Sequence, residues 1–301
     1  MEKRSLKVAL LTAALSLVAC LAFANEKCKE CHGDIVAKHA ATLHGQAGKS
    51  CDACHGGVDA HLASGDKKDI ITFGKGDVKK QNAQCQNCHA KNQNLMFWDN
   101  SKHQKEDVAC VSCHSIHKAA KPAAQQPEKC FECHKEVKSQ ANQYSHHPII
   151  EGLVKCSDCH NPHGSLGHGS IKAENINQLC YKCHAEKRGP YVWEHAPVEE
   201  DCSKCHTPHG SKTIKLLVDR QPRLCQNCHD ANQHPGTIYG ANRSFLPQNG
   251  AALNNLGGTA AISSPTESKA GRGGLGRGCT GCHGSIHGSN SPATLGKTFV
   301  R

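Results

Sequence analysis

The chain has 301 residues, of which 37% are apolar and only 4% aromatic, too few to fill a conventional core of that size. Against this stand 21 cysteines and 23 histidines, with two methionines and two tryptophans, so something other than side chains must occupy the interior. The 36 Lys+Arg and 26 Asp+Glu leave +10, a balance that alone would suggest nucleic acid or an anionic membrane as partner and that the motifs below revise.

The chain begins with Glu2-Lys3-Arg4 and Lys7, an apolar run from Val8 to Leu21, and Ala22-Phe23-Ala24 before Asn25. This is the pattern of a secretory signal peptide over 1–24, with the mature chain starting at Asn25. A competing reading takes Leu17-Val18-Ala19-Cys20 as a lipobox with Cys20 as a lipid anchor. No later segment approaches the roughly 20 apolar residues of a membrane-spanning helix.

Cys20 falls in the leader, and the other twenty cysteines all sit in C-x-x-C-H. The ten copies are Cys28-x-x-Cys31-His32, Cys51-x-x-Cys54-His55, Cys85-x-x-Cys88-His89, Cys110-x-x-Cys113-His114, Cys130-x-x-Cys133-His134, Cys156-x-x-Cys159-His160, Cys180-x-x-Cys183-His184, Cys202-x-x-Cys205-His206, Cys225-x-x-Cys228-His229 and Cys279-x-x-Cys282-His283. This is the attachment signature of c-type haem: two thiols add to the two porphyrin vinyl groups and the adjoining histidine binds the iron. Zinc knuckles or disulfides would use the same cysteines, but neither requires a histidine after every second one. The expectation is ten covalent haems with His32, His55, His89, His114, His134, His160, His184, His206, His229 and His283 as proximal ligands. Without Lys3, Arg4, Lys7 and Glu2 the polypeptide carries +8. Twenty propionates, and ten irons that are net positive only when oxidised, bring the holoprotein to about −2 oxidised and about −12 reduced, which removes the argument for nucleic acid.

The remaining histidines repeat with the motifs. Five dihaem units start at Cys28, Cys85, Cys130, Cys180 and Cys225, each reading motif, middle histidine, motif, trailing histidine. The middle set is His44 (or His39), His103, His146 (or His147), His195 and His234; the trailing set is His61, His117, His163, His209 and His287. His44, His103 and His195 each stand seven residues before the next cysteine, which favours His44, and His146-x-Pro148 aligns with His195-x-Pro197, which favours His146. These supply ten distal ligands for ten irons. His168 has no counterpart and reads as a surface or propionate-contacting residue. His117, His163 and His209 lie three residues beyond a proximal ligand, a reach of at most about 10 Å. They can hardly cross to the far face of the same macrocycle, so each should bind a neighbouring haem. Beyond the initiator only Met96 offers a thioether, so low-spin, low-potential bis-histidine haems are expected and no open iron for substrate chemistry.

About 28 residues per haem is too little for a private fold around each cofactor. The expected class is a multihaem c-type cytochrome: short α-helices and coil wrapped on a haem chain, almost no β-sheet, and an elongated shape. Counting haems divides the mature chain into a first pentahaem half over 25–135 and a second over 136–301. Within the second, the stretch 241–278 is rich in Gly, Ser, Asn and Ala and reads as a long surface loop.

The ten motifs, the Cys51-Asp52-Ala53-Cys54-His55-Gly56 opening, His146-His147-Pro148 with Glu151-Gly152, His160-Asn161-Pro162-His163-Gly164 and the ending Cys282-His283-Gly284-Ser285-Ile286-His287-Gly288-Ser289-Asn290-Ser291-Pro292 carry a family resemblance. The mature chain resembles the periplasmic decahaem cytochromes of the MtrA/DmsE/PioA/MtoA type. That resemblance implies two pentahaem halves in series, inserted in an outer-membrane β-barrel porin. Such a wire carries electrons between periplasmic or inner-membrane c-type cytochromes and extracellular iron or manganese, a surface multihaem cytochrome or a reductase. The alternative is a soluble periplasmic shuttle or electron store without a porin; an enzyme with one non-standard haem ranks third.

Overall fold

The computed structural model describes residues 26–118, 126–229, 278–292 and 299. The leader with Cys20, His234 and residues 241–277 lie outside that range. Among the described residues the chain is short helices, turns and coil, with four isolated bridges and no strand.

The helices are short, and polar caps set the starts of several. Asp77 accepts from the Lys79 and Lys80 amides to open Val78–His89, Ser101 accepts from Gln104 N to open Lys102–Lys105, and Asn175 accepts from Gln178 N to open Ile176–Cys180. A further helix covers 26–40 and carries the first motif.

The chain contacts divide into two lobes. One gathers the chain up to Glu132 with Lys155–Lys172; the other gathers Cys133–Val154 with the chain from Ala173 onward. The sixth motif therefore groups with the first lobe.

The polypeptide by itself buries few apolar side chains. Among the described residues the buried ones include Trp98, Ala109, Phe131, Ala141, Ile149, Ile171 and Leu217. Leu166, Tyr144, Leu43 and Leu153 are each more than three-quarters exposed, and Leu43 adjoins His44. A chain of this length with so thin a core needs its cofactors to supply the interior.

Candidate haem sites

Each motif folds as one helical turn. The backbone N–H of the motif histidine donates to the carbonyl of its first cysteine in His55, His114, His160, His184, His206, His229 and His283, at 2.9 to 3.0 Å. Positions i, i+3 and i+4 of a helical turn share a face, so both thiols and the imidazole are presented to one side. Three second motifs are then closed by the loop that follows. Nδ1 of His55, His160 and His206 meets the carbonyls of Ile71, Gly169 and Lys215 at 2.8, 2.9 and 2.8 Å. A ligating imidazole is oriented in just this way, one ring N–H given to a carbonyl and Nε2 left for the metal.

The thiols pair as the motifs do. The first cysteines of the two motifs in each unit are hydrogen-bonded to each other: Cys28 with Cys51, Cys85 with Cys110, Cys130 with Cys156, Cys180 with Cys202 and Cys225 with Cys279. Burial, with the partner thiol adding, pushes Cys51 and Cys225 up to about 11. The S–H received from Cys85 and Cys130 holds Cys110 and Cys156 down at about 7. Consecutive units also adjoin, since Cys54 feels the charge of Cys85 and Cys88, and Cys205 that of Cys228.

Seven motif histidines face a second imidazole. His32 faces His61 with ring centres 6.4 Å apart, His55 faces His117 at 5.9 Å, His89 faces His44 at 5.8 Å and His114 faces His163 at 5.8 Å. His184 faces His147 at 6.2 Å, His206 faces His287 at 6.1 Å and His229 faces His195 at 6.1 Å. An imidazole nitrogen sits about 2.0 Å from a bound metal, so two rings on opposite sides of one iron have centres about 6 Å apart. The residues therefore fit a haem iron between each pair. Burial first, with neighbouring cations adding, pushes His117, His163, His195 and His287 below the usual histidine range, towards the neutral form that a metal ligand requires.

His146 and His147 differ in their hydrogen bonds. His146 has Nδ1 on the Gln143 carbonyl at 2.6 Å and Nε2 on Glu151 Oε1 at 3.0 Å, so neither nitrogen is left for a metal. The Glu151 carboxylate raises its proton affinity above that of an ordinary histidine. His147 faces His184 instead, with its Nδ1 on the Pro208 carbonyl at 2.6 Å. His103 makes the equivalent contact, Nδ1 to the Pro162 carbonyl at 2.7 Å. His39 is buried and stands edge-on to His117 at 6.4 Å, and His44 stands edge-on to the motif histidine His89 at 5.8 Å; His168 is exposed. His209 lies in the turn after the eighth motif, and His234 is outside the described residues.

Two of the trailing histidines, His163 and His287, are each followed by a glycine in a close approach. Gly164, after His163, has φ +101°, and a Cβ there would lie 2.5 Å from the Phe97 carbonyl oxygen. Gly288, after His287, has φ +138°, and a Cβ there would overlap the Tyr191 ring. Gly288→Ala should therefore destabilise the fold by about 1–3 kcal/mol and loosen His287. A lower melting temperature together with a fraction of high-spin haem is the expected result, and an unchanged melt would disprove the close approach.

The comparisons with known proteins agree with this geometry. A family described as a doubled CXXCH motif matches residues 146–189 and 195–234, and one described as cytochrome c-type protein NrfB-like matches 51–124. The chain is 41% identical over 261 residues to the multiheme cytochrome MtrA of Shewanella baltica, covering 85% of this chain and 72% of that protein. It is 29% identical over 129 residues to the cytochrome c-type protein NrfB of Escherichia coli, covering 38% of this chain and 68% of the relative. Sequence, fold and paired motifs define a multihaem c-type cytochrome, an electron-transfer protein with covalently bound haem c. Within that class, the chain belongs to the MtrA family.

Proposed function

We propose that all ten motifs carry haem, that every iron is held by two histidines, and that the ten haems form one wire through an outer-membrane β-barrel. The observation that carries the reading is the interleaving of six of the seven imidazole pairs. The first motifs of units two, four and five face the middle histidine of the unit before, as His89 with His44, His184 with His147 and His229 with His195. The second motifs of units one, two and four face the trailing histidine of the unit after, as His55 with His117, His114 with His163 and His206 with His287. His32, with no unit before it among the five, faces the trailing histidine of its own unit, His61. Each unit thus completes its neighbours' sites. His103, His209 and His234 are the donors left for the irons of His134, His160 and His283.

Interleaved ligation suits conduction, because it couples haem to haem along the whole chain. Ten rings in near contact, each on the order of 10 Å across, form a wire of about 80–100 Å, against about 40–45 Å for a bilayer with headgroups. Irregular backbone cannot face lipid, so on this reading the sheath is a closed barrel supplied by a partner. The protein is placed in the periplasm against the outer membrane. Its partners are the porin, periplasmic or inner-membrane c-type cytochromes and a surface multihaem cytochrome or extracellular metal, and its chemistry is carriage of electrons without turnover at an open iron.

Detergent extraction of the outer membrane tests the conduit. Stable co-purification of the decahaem chain with a large β-barrel is the expected result. Recovery of the whole population as a free monomer from an osmotic-shock extract would replace the conduit by a diffusing shuttle.

A further inference from the structure

A carboxamide stands just ahead of the first motif in dihaem units two to five. Asn82 and Asn177 precede Cys85 and Cys180 by three positions, and Gln126 and Gln221 precede Cys130 and Cys225 by four. These two offsets share one side of a helical turn, so the amide and the first cysteine project together. Asn25 holds the three-residue offset before Cys28 and lies outside the described residues.

All four amide oxygens accept from a backbone N–H at the start of the second motif of the same unit. Asn82 Oδ1 takes Cys110 N at 2.8 Å and Asn177 Oδ1 takes Cys202 N at 2.8 Å. Gln126 Oε1 takes Ser157 N at 2.9 Å, and Gln221 Oε1 takes Thr280 N at 3.2 Å with the Thr280 hydroxyl at 3.0 Å. The asparagines also donate. Asn82 Nδ2 reaches the Val108 carbonyl at 3.2 Å, and Asn177 Nδ2 reaches those of Val198 and Glu199 at 2.8 and 2.9 Å. Both asparagines are buried, at 6% and 7% exposure, where an uncharged group that both accepts and donates is the one such a site tolerates. The bonds cross 25 to 59 residues of chain, and where each one forms, the first cysteines of the two motifs lie side by side.

We infer that these carboxamides are positioning residues for the haem pairs, each tying the second motif to the helical turn that bears the first and so fixing the separation of the two porphyrins. The inference rests on the reading that every motif carries a haem. None of the four amides binds an iron or a thiol; they act through the backbone of the motif that does. Because electron exchange between two haems falls steeply with distance, the amide sets the coupling within its pair.

The test uses the full-length, secreted, haem-loaded protein with Asn177→Leu and, as a second site, Gln221→Leu. Intact mass counts haems, electron paramagnetic resonance reads the spin state and the magnetic interaction of adjacent ferric haems, and transient absorption reads haem-to-haem exchange. Asn177→Leu should keep ten low-spin haems while the interaction within one pair weakens and exchange slows several-fold. Wild-type coupling and exchange in a ten-haem Asn177→Leu protein would overturn the inference. If Asn177→Leu matures with fewer haems, the same readouts on Gln221→Leu decide. Fewer than ten haems in the unaltered protein would instead overturn the attachment reading.

Discussion

Replacing His147 by alanine should convert one haem in ten from low-spin to high-spin, whereas replacing its neighbour His146 should leave every haem low-spin. The two side chains differ in what their nitrogens already do. His146 has both engaged, by the Gln143 carbonyl and by Glu151. His147 gives one to Pro208 and turns its ring towards His184 at 6.2 Å. A metal ligand needs a free lone pair on one nitrogen and gains from a hydrogen bond on the other, and His147 alone of the two meets both conditions. In His147→Ala the His184 iron would keep its thioether bonds, so intact mass should still count ten haems while the ferric spectrum gains a high-spin signal. The freed position should also take up cyanide or carbon monoxide, which closed bis-histidine haems resist. A fully low-spin His147→Ala protein would return the assignment to His146, and a high-spin His146→Ala protein would do the same from the other side.

That pair of residues also marks where sequence reasoning stops. The motif turns were legible because their chemistry is local: two thiols and an imidazole within five residues admit one fold, and it recurs through the chain. The lack of sheet was legible for the same reason, since so short a stretch per haem leaves no room for ladders, and the described chain holds only four isolated bridges. The middle and trailing roles showed as periodicity. Which histidine meets which iron was hidden, because facing rings stand far apart along the chain, as His206 and His287 do. His146 was favoured by aligning its His-x-Pro with that of His195, but the two local structures differ. His195 stands at the position just before the helix Ala196–Glu200, with Pro197 near its start, while the chain at Ser145 is bridged to Ser211 and carries His147 towards Pro208. The carboxamide clips gave no signal, since asparagine and glutamine are common, have no metal chemistry of their own, and occur here at two different offsets.

The largest effect is expected from breaking the chain in its middle. Replacing Cys180 and Cys183 by alanine removes both thioether partners of the seventh motif, so intact mass should fall by one haem while the remaining motifs mature. The consequence for electron flow depends on whether the haems act in series or in parallel. In a wire every electron must pass the gap, and the interleaving of ligands makes the gap wider than one ring. Loss of that haem leaves His147 without an iron and withdraws the support that its neighbours draw from the unit. With the protein and its barrel partner reconstituted in liposomes, transfer from an internal reductant to an external ferric acceptor should drop by orders of magnitude, although the haems on the donor side still reduce at the normal rate. In a diffusing store the same variant would lose only about one tenth of its electron capacity and keep its exchange rate with partners. A proportional loss of about one tenth in the liposome assay would therefore end the conduit reading, and a near-complete loss with normal donor-side reduction would fix the haems as a single series path.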